Sequence, residues 1–169
     1  GIGGFAGSHL ADFLLAQGLD VRGTVRPGHT GAATHLEGLV RLYPADLLDP
    51  PAVRAAILDA VPDLVFHLAG QPNVPRSWQD PEATYQANVL GQLHLLEAVV
   101  ALRPEARVLI VGSNEEYGAP QPDELPIKET NPLRPANPYA ASKVAQDFMG
   151  YQYFLGRKHE RRPEVHSYL

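Results

Sequence analysis

Cysteine is missing from all 169 residues, which removes disulfides, zinc–thiolate sites and a cysteine nucleophile from consideration at once. No uninterrupted apolar run approaches the ~20 residues that a membrane-spanning helix needs, so no membrane partner is expected. A signal-peptide pattern is lacking too, since the chain opens on glycines rather than on a basic segment and an apolar core. Basic charge is scarce: the net charge is -5 and the Lys and Arg residues are scattered, which argues against nucleic acid as a partner. The seven histidines show no paired ligand spacing, and no metal is expected. Internal repeats and low-complexity segments are also absent. What is present, 44% hydrophobic and 20% charged residues, suits one globular domain with an ordinary core, in a cytoplasmic, small-molecule role.

The chain alternates helix-like and strand-like segments. Gly1-Ile2-Gly3-Gly4-Phe5-Ala6-Gly7 leads into a run in which Leu10, Phe13, Leu14 and Gln17 have helical spacing, and Gly18 suits a left-handed cap. Asp20 to Arg26 and Leu39 to Ala45 read as strands, with a loop and a helical turn from His29 to Gly38. Asp49-Pro50-Pro51 starts a helix through Val61, and Leu64 to Leu68 is apolar enough for a buried parallel strand. A long helix is expected from Asp80 to Leu102, a strand from Arg107 to Val111, and a last helix from Asn137 to about Gly156. Between them, Pro120 to Pro138 reads as an ordered surface loop. This rhythm predicts an α/β fold, a doubly wound parallel sheet over residues 1–156, with an irregular tail over 157–169. A glycine loop of this kind should follow a strand, and none precedes Gly1 here. The chain is therefore expected to lack the first strand and a C-terminal substrate domain, leaving a gap at the centre of the sheet.

Gly1, Gly4 and Gly7 recur at three-residue spacing directly before a helix. That pattern permits a tight turn, close approach of a pyrophosphate and close helix packing, with the helix N-terminus facing the phosphates. The next strand ends in Thr24-Val25-Arg26-Pro27, with an arginine and no acid. Arg26 suits a 2′-phosphate, which favours NADP over NAD, although NAD remains open and a solvated surface arginine is the plainer alternative. Asp46 and Leu47, past the following strand, are placed to touch an adenine, or Asp46 simply caps its loop.

Tyr139 and Lys143 lie four residues apart on the last helix and so share one face. An ammonium near a phenol favours the phenolate, which allows proton transfer to or from a carbonyl oxygen at neutral pH. Ser113 and Glu115 follow a buried strand, at the carboxyl end where parallel sheets bind ligands. Ser113 suits a hydrogen bond to the reacting oxygen, and Glu115 suits acid or base work. The bland readings are an exposed helix pair and an ordinary polar turn. His67 is expected to be a packed core residue, and Trp78 either lines a pocket or covers the core.

With the glycine loop, Leu68-Ala69-Gly70-Gln71, Asn88 in Gln86-Ala87-Asn88-Val89-Leu90-Gly91, the Ser113 turn, Tyr139 and Lys143 in order, the chain resembles the extended short-chain dehydrogenase/reductases, whose cofactor domain is Rossmann-type. The resemblance implies that Asn88 supports the active-site helix or a relay water. It also implies that Ala69 and Gly70 line the nicotinamide side, and that Phe5 and Leu68 belong with the cofactor-binding residues. Val74-Pro75-Arg76-Ser77-Trp78, Gly112 to Gly118 and Ser142 to Asp147 are most similar to the GDP-4-keto-6-deoxy-mannose reductases. The GDP-mannose 4,6-dehydratases resemble it next. Asn114 argues against the dTDP-glucose dehydratases, which place a proton-donating aspartate there. The resemblance implies a nucleotide-sugar substrate and a homodimer, while an inactive cofactor-binding piece is the alternative of another class.

Overall fold

In the computed structural model, residues 1–29, 31–160 and 164–168 are described, those beyond 156 as backbone alone. Helix α1, Phe5–Ala16, begins at Gly4, and Gly18 takes a left-handed turn (φ +75°) two residues after it ends. The inward face of α1 consists of Gly7, Ser8 and Ala11, while Phe13 is exposed. The larger apolar residues marked out by helical spacing thus do not supply the buried face, because the turn at Gly1 brings the helix backbone too close for them. A Cβ at Gly7 would lie 2.2 Å from the Gly1 carbonyl oxygen.

Strand β1, Arg22–Val25, pairs in parallel with β2, Arg41–Pro44. A 3-10 turn between them, Gly31–Leu36, buries Ala33 and Leu36 against Ile2 and Ala11. Helix α2, Pro50–Ala60, is capped by Asp49, whose carboxylate accepts from the Ala52 N–H at 3.2 Å. Its buried Val53, Ala56 and Ile57 face the core side of the sheet. Strand β3, Leu64–His67, pairs in parallel with β4, Arg107–Val111.

The segment expected to be one helix from Asp80 is built of three parts. A short helix α3, Val74–Gln79, capped by Asn73, precedes α4, Pro81–Tyr85, capped by Asp80. A π-helical turn, Gln86–Leu90, then joins α4 to α5, Gly91–Leu102. The wider turn is centred on the buried Asn88, as is common where a helix supports a site. Apolar periodicity cannot reveal such a turn, since the pattern continues through it.

Helix α6, Pro138–Glu160, outlasts its expected end at Gly156. Beyond it, β5, Glu164–Tyr168, pairs in parallel with β4, from Arg107↔Glu164 to Val111↔Tyr168. Residues 157–160 and 164–168 are therefore helix and strand rather than part of the irregular tail that their charged composition suggested. The open edge of β4 organises this stretch by backbone hydrogen bonds, which need no apolar pattern.

All pairings between named strands are parallel, but the sheet is divided into β1–β2 and β3–β4–β5. Between β1 and β3 lies the expected gap, a cavity of about 390 Å³ lined by Leu10, Leu14, Gly23, Val53, Leu64 and Phe66 among others. The larger core lies on the β3–β4 side, where Val53, Ile57, Leu95, Leu96, Val99, Val108 and Ile110 pack together.

Candidate active site

The glycine loop is closed by the Gly4 N–H donating to the Gly1 carbonyl at 3.1 Å. Gly1 packs on the chain leaving β3: a Cβ there would sit 2.6 Å from the Ala69 nitrogen. Gly4, by contrast, has room for a side chain, but as N-cap it offers no side-chain acceptor to the first turn of α1. Those N–H groups are thus left for a bound anion. Phe5 turns its ring away from the loop, 80% exposed and edge-on to His9. Only its backbone belongs to the phosphate-facing turn.

The ends of β1 and β2 are tied by the Ala45 N–H donating to the Val25 carbonyl at 2.9 Å, which sets Arg26 beside Asp46 and Leu47. Arg26 is exposed, and among the described residues no carboxylate pairs with it. Asp46 caps its own turn, accepting from the Leu48 N–H at 2.9 Å. The Leu47 carbonyl accepts from His94 Nδ1 at 2.7 Å, and its side chain packs against Gly91.

Past β3, Leu68 and Ala69 are half-buried, and Gly70 approaches Asn88 so closely that a Cβ would lie 2.8 Å from Asn88 Oδ1. Asn88 accepts from the Gln71 N–H at 2.6 Å and donates to the Gln71 carbonyl at 3.2 Å and to Ser142 Oγ at 2.8 Å. Ser142 in turn donates to the Tyr139 carbonyl at 2.6 Å. The π-helical turn thereby ties the strand β3 exit to the first turn of α6, where Tyr139 sits.

Ser113 caps a 3-10 turn, Asn114–Tyr117, at the end of β4. Its Oγ accepts from the Glu115 N–H at 3.2 Å, which leaves the hydroxyl proton to donate elsewhere. Glu116 closes the cap by accepting from the Ser113 N–H at 2.8 Å. Burial pushes the Glu116 carboxyl up to about 7, and its Oε2 has no described partner. Glu115 instead accepts from Asn137 Nδ2 at 3.0 Å, and Asn137 Oδ1 caps α6 through the Ala140 N–H at 2.7 Å.

Lys143 donates to the Val111 carbonyl and to Gln146 Oε1, the latter at 2.8 Å. Burial lowers its pKa, with the Glu116 charge opposing. These partners, rather than the Tyr139 phenol, hold the ammonium. The Ser113 turn and α6 are thus joined twice, through Val111–Lys143 and through Glu115–Asn137, and Ser113, Glu115, Tyr139 and Lys143 come to one edge of the fold.

Glu116, Asn137, Gln92 and Gln146 were not among the residues marked from the sequence. Ser113-x-x-Glu116 is a capping-box spacing and was visible as such. Nothing in the sequence signals the buried pair Gln92 and Gln146, which meet across 54 residues. Trp78 is 64% exposed and covers no core, whereas His67 is buried, as expected. Among the described residues, no group of three or more His, Asp or Glu gathers to hold a metal ion, and no helix is long and apolar enough to cross a membrane.

A glycine loop opening a helix, a hydroxyl at the end of a parallel strand, and a phenol and an ammonium on the helix tied to it are the arrangement of the extended short-chain dehydrogenase/reductases, and this chain is of that class. More narrowly, residues 1–159 match the family described as GDP-mannose 4,6 dehydratase, and the chain belongs to it. It is 35% identical over 156 residues to GDP-mannose 4,6-dehydratase of Vibrio cholerae, covering 85% of this chain and 41% of that one. It is 37% identical over 153 residues to GDP-6-deoxy-D-mannose reductase of Pseudomonas aeruginosa, covering 90% and 45%. The chain therefore spans less than half the length of these relatives, and their near-equal identities do not separate dehydratase from reductase. Among solved structures, RMD from Pseudomonas aeruginosa complexed with NADPH matches with a TM-score of 0.73 and 33% identity, over 94% of this chain and 49% of that one. UDP-glucose 4-epimerase of Thermus thermophilus in complex with NAD matches with a TM-score of 0.83 and 33% identity, over 92% and 50%.

Proposed function

We propose that the chain is the cofactor-binding part of an NADP(H)-dependent oxidoreductase that reduces a 4-keto-6-deoxy sugar nucleotide of the GDP-4-keto-6-deoxy-mannose type. The observation that carries this reading is the double tie between the Ser113 turn and α6, which brings Ser113, Tyr139 and Lys143 to one edge. A dinucleotide suits the glycine loop, where the close approaches at Gly1 and Gly7 exclude side chains and the first turn of α1 lacks a side-chain cap. Gly4, Phe5, Leu68, Ala69, Gly70 and Asn88 complete that side. Arg26, without a carboxylate partner among the described residues, is suited to a 2′-phosphate, while the loop itself serves NAD equally; the NADPH complex of the similar RMD from Pseudomonas aeruginosa supports the first choice. Asp46 and Leu47 are left to the adenine end.

When bound, the nicotinamide would supply hydride to the keto carbon. Ser113 hydrogen-bonds the keto oxygen through its hydroxyl, and Tyr139 delivers the one proton that this oxygen takes up. Lys143 holds the cofactor ribose and favours the phenolate that Tyr139 leaves behind. Exposed Tyr85, Leu90, Phe148 and Tyr151 on α4, the π-helical turn and α6 give a homodimer an apolar face to bury. A cytoplasmic setting, where nicotinamide cofactors and sugar nucleotides meet, belongs to the same reading.

A second reading, the dehydratase, is favoured by the Glu115 carboxylate, held by Asn137 on the turn that carries Ser113. Elimination needs that base, and reduction does not. With the full gene product, the reductase consumes NADPH in step with GDP-4-keto-6-deoxy-mannose, and Glu115→Gln has a modest effect. Turnover of GDP-mannose without net cofactor consumption, collapsing in Glu115→Gln, would replace the reductase by the dehydratase.

A further inference from the structure

Behind Lys143 lies a buried polar chain whose hydrogen bonds admit a single orientation. Gln92 on α5 is fully buried and donates its Nε2 to the Gln146 backbone carbonyl at 2.7 Å. A carbonyl only accepts, so Gln92 must present its Oε1 to the Gln146 side chain. Gln146 answers by donating its Nε2 to that oxygen at 2.8 Å. The same Nε2 donates its other proton toward His67 Nε2 at 3.4 Å. Burial, with the Lys143 charge, pushes His67 down to about 3, so at neutral pH the ring is neutral and, protonated on Nδ1, offers this nitrogen as an acceptor. With both amide protons engaged, the Gln146 Oε1 is left facing Lys143, whose ammonium donates to it at 2.8 Å. Reversing the amide would set N–H groups against the ammonium and two oxygens against each other.

We propose that Gln146 is a positioning residue: its amide, locked by Gln92 and His67, anchors the Lys143 ammonium between Gln146 Oε1 and the Val111 carbonyl. An ammonium has three protons, so this anchoring leaves one to face the cofactor and Tyr139. The inference rests on Lys143 acting as proposed above. Glu116 is the carboxyl whose charge acts on Lys143 from the Ser113 turn, and Asp147 on α6 acts on Glu116 in turn. Neither depends on the Gln146 amide, so the anchor is separable from the local charge.

The test uses the full gene product with four variants, measuring kcat, sugar KM, the NADPH Kd by fluorescence titration, and Tm. Gln146→Met keeps the length and removes the acceptor. It is expected to lower kcat about tenfold and weaken NADPH several-fold, with the sugar KM little changed, as loss of a hydrogen bond to a charged group should. Gln146→Glu keeps an acceptor for the ammonium but sets an oxygen against Gln92 Oε1, so it should recover part of the kcat lost in Gln146→Met while lowering Tm. If Gln146→Met fails to fold, Gln92→Met, which frees the amide to turn and removes the donor to the Gln146 carbonyl, should show the same pattern at smaller size. A lowered Tm with kcat and NADPH Kd within twofold of wild type, in whichever of the two folds, would overturn the proposal. Lys143→Ala keeps the two failures apart: if it also retains normal turnover, the catalytic reading itself is wrong.

Discussion

The two parts of the divided sheet are built by different means. On the β1–β2 side the buried core cluster is small, Ile2, Ala11, Ala33 and Leu36, and the functional groups are mostly backbone. Glycines where a Cβ would meet backbone at 2.2 and 2.6 Å, an uncapped helix end, Asp46, Leu47 and one exposed arginine are what the described residues of that side offer a cofactor. The β3–β4–β5 side holds the large core, and its functional groups are side chains fixed by other side chains, Asn88 to Ser142 and Gln92 to Gln146 to Lys143. A backbone cradle needs room and the right turn. A set of proton donors and acceptors needs every neighbour satisfied, because a buried polar group without a partner costs about 1–3 kcal/mol. The two sides should therefore fail differently when altered: the first in affinity alone, the second in rate and stability, with affinity touched where Lys143 holds the cofactor ribose.

The largest expected effect lies on the second side. Tyr139→Phe removes the phenolic proton donor and leaves the ring, so turnover of the full gene product should fall by about 10²-fold or more with NADPH affinity retained. Normal turnover with hydride transfer rate-limiting would remove Tyr139 from the chemistry and erase the contrast.

A smaller effect is expected on the first side. Arg26→Asp should weaken NADPH about tenfold more than NADH, because the guanidinium is free to pair with a 2′-phosphate and the carboxylate repels it. Titration with both cofactors measures the ratio, and equal losses would mean that Arg26 does not read the phosphate.

The smallest effect concerns pH. The folded state raises the Glu116 carboxyl from the ordinary 4.5 to about 7, chiefly through burial. A raised carboxyl contributes stability that is fully present below the unfolded value and lost as pH rises through the folded one. Stability should therefore decline between about pH 4.5 and 7. Glu116→Gln, which stays neutral, should flatten that part of the Tm–pH curve. An unchanged slope would show that Glu116 carries no such burden.

The same contrast explains what could be read in the sequence. The glycine loop, Arg26 and the parallel α/β order were legible because glycine spacing and strand–helix rhythm are local properties. Ser113, Tyr139 and Lys143 were legible as a set by spacing and resemblance, but their supports were not. The Gln92–Gln146 contact joins α5 to α6 across 54 residues, and no local pattern encodes it. The π-helical turn at Asn88 hides inside an unbroken apolar period. Strand β5 was missed because its partner, not its composition, makes it a strand. On α1, helical spacing marked Phe13 for the core, whereas close packing at Gly7 turned the small residues inward.

The central claim is that recognition of the 2′-phosphate at Arg26 and proton chemistry at Tyr139 reside in separate parts of the fold, and a double-mutant cycle on Arg26 and Tyr139 addresses it directly. The kcat/KM for NADPH would be measured for wild type, Arg26→Asp, Tyr139→Phe and the double variant. The two residues share no described partner, so their losses should multiply to within about twofold, the usual limit of additivity for independent sites. A double variant departing more than tenfold from that product would show the two parts acting as one site and would contradict the account.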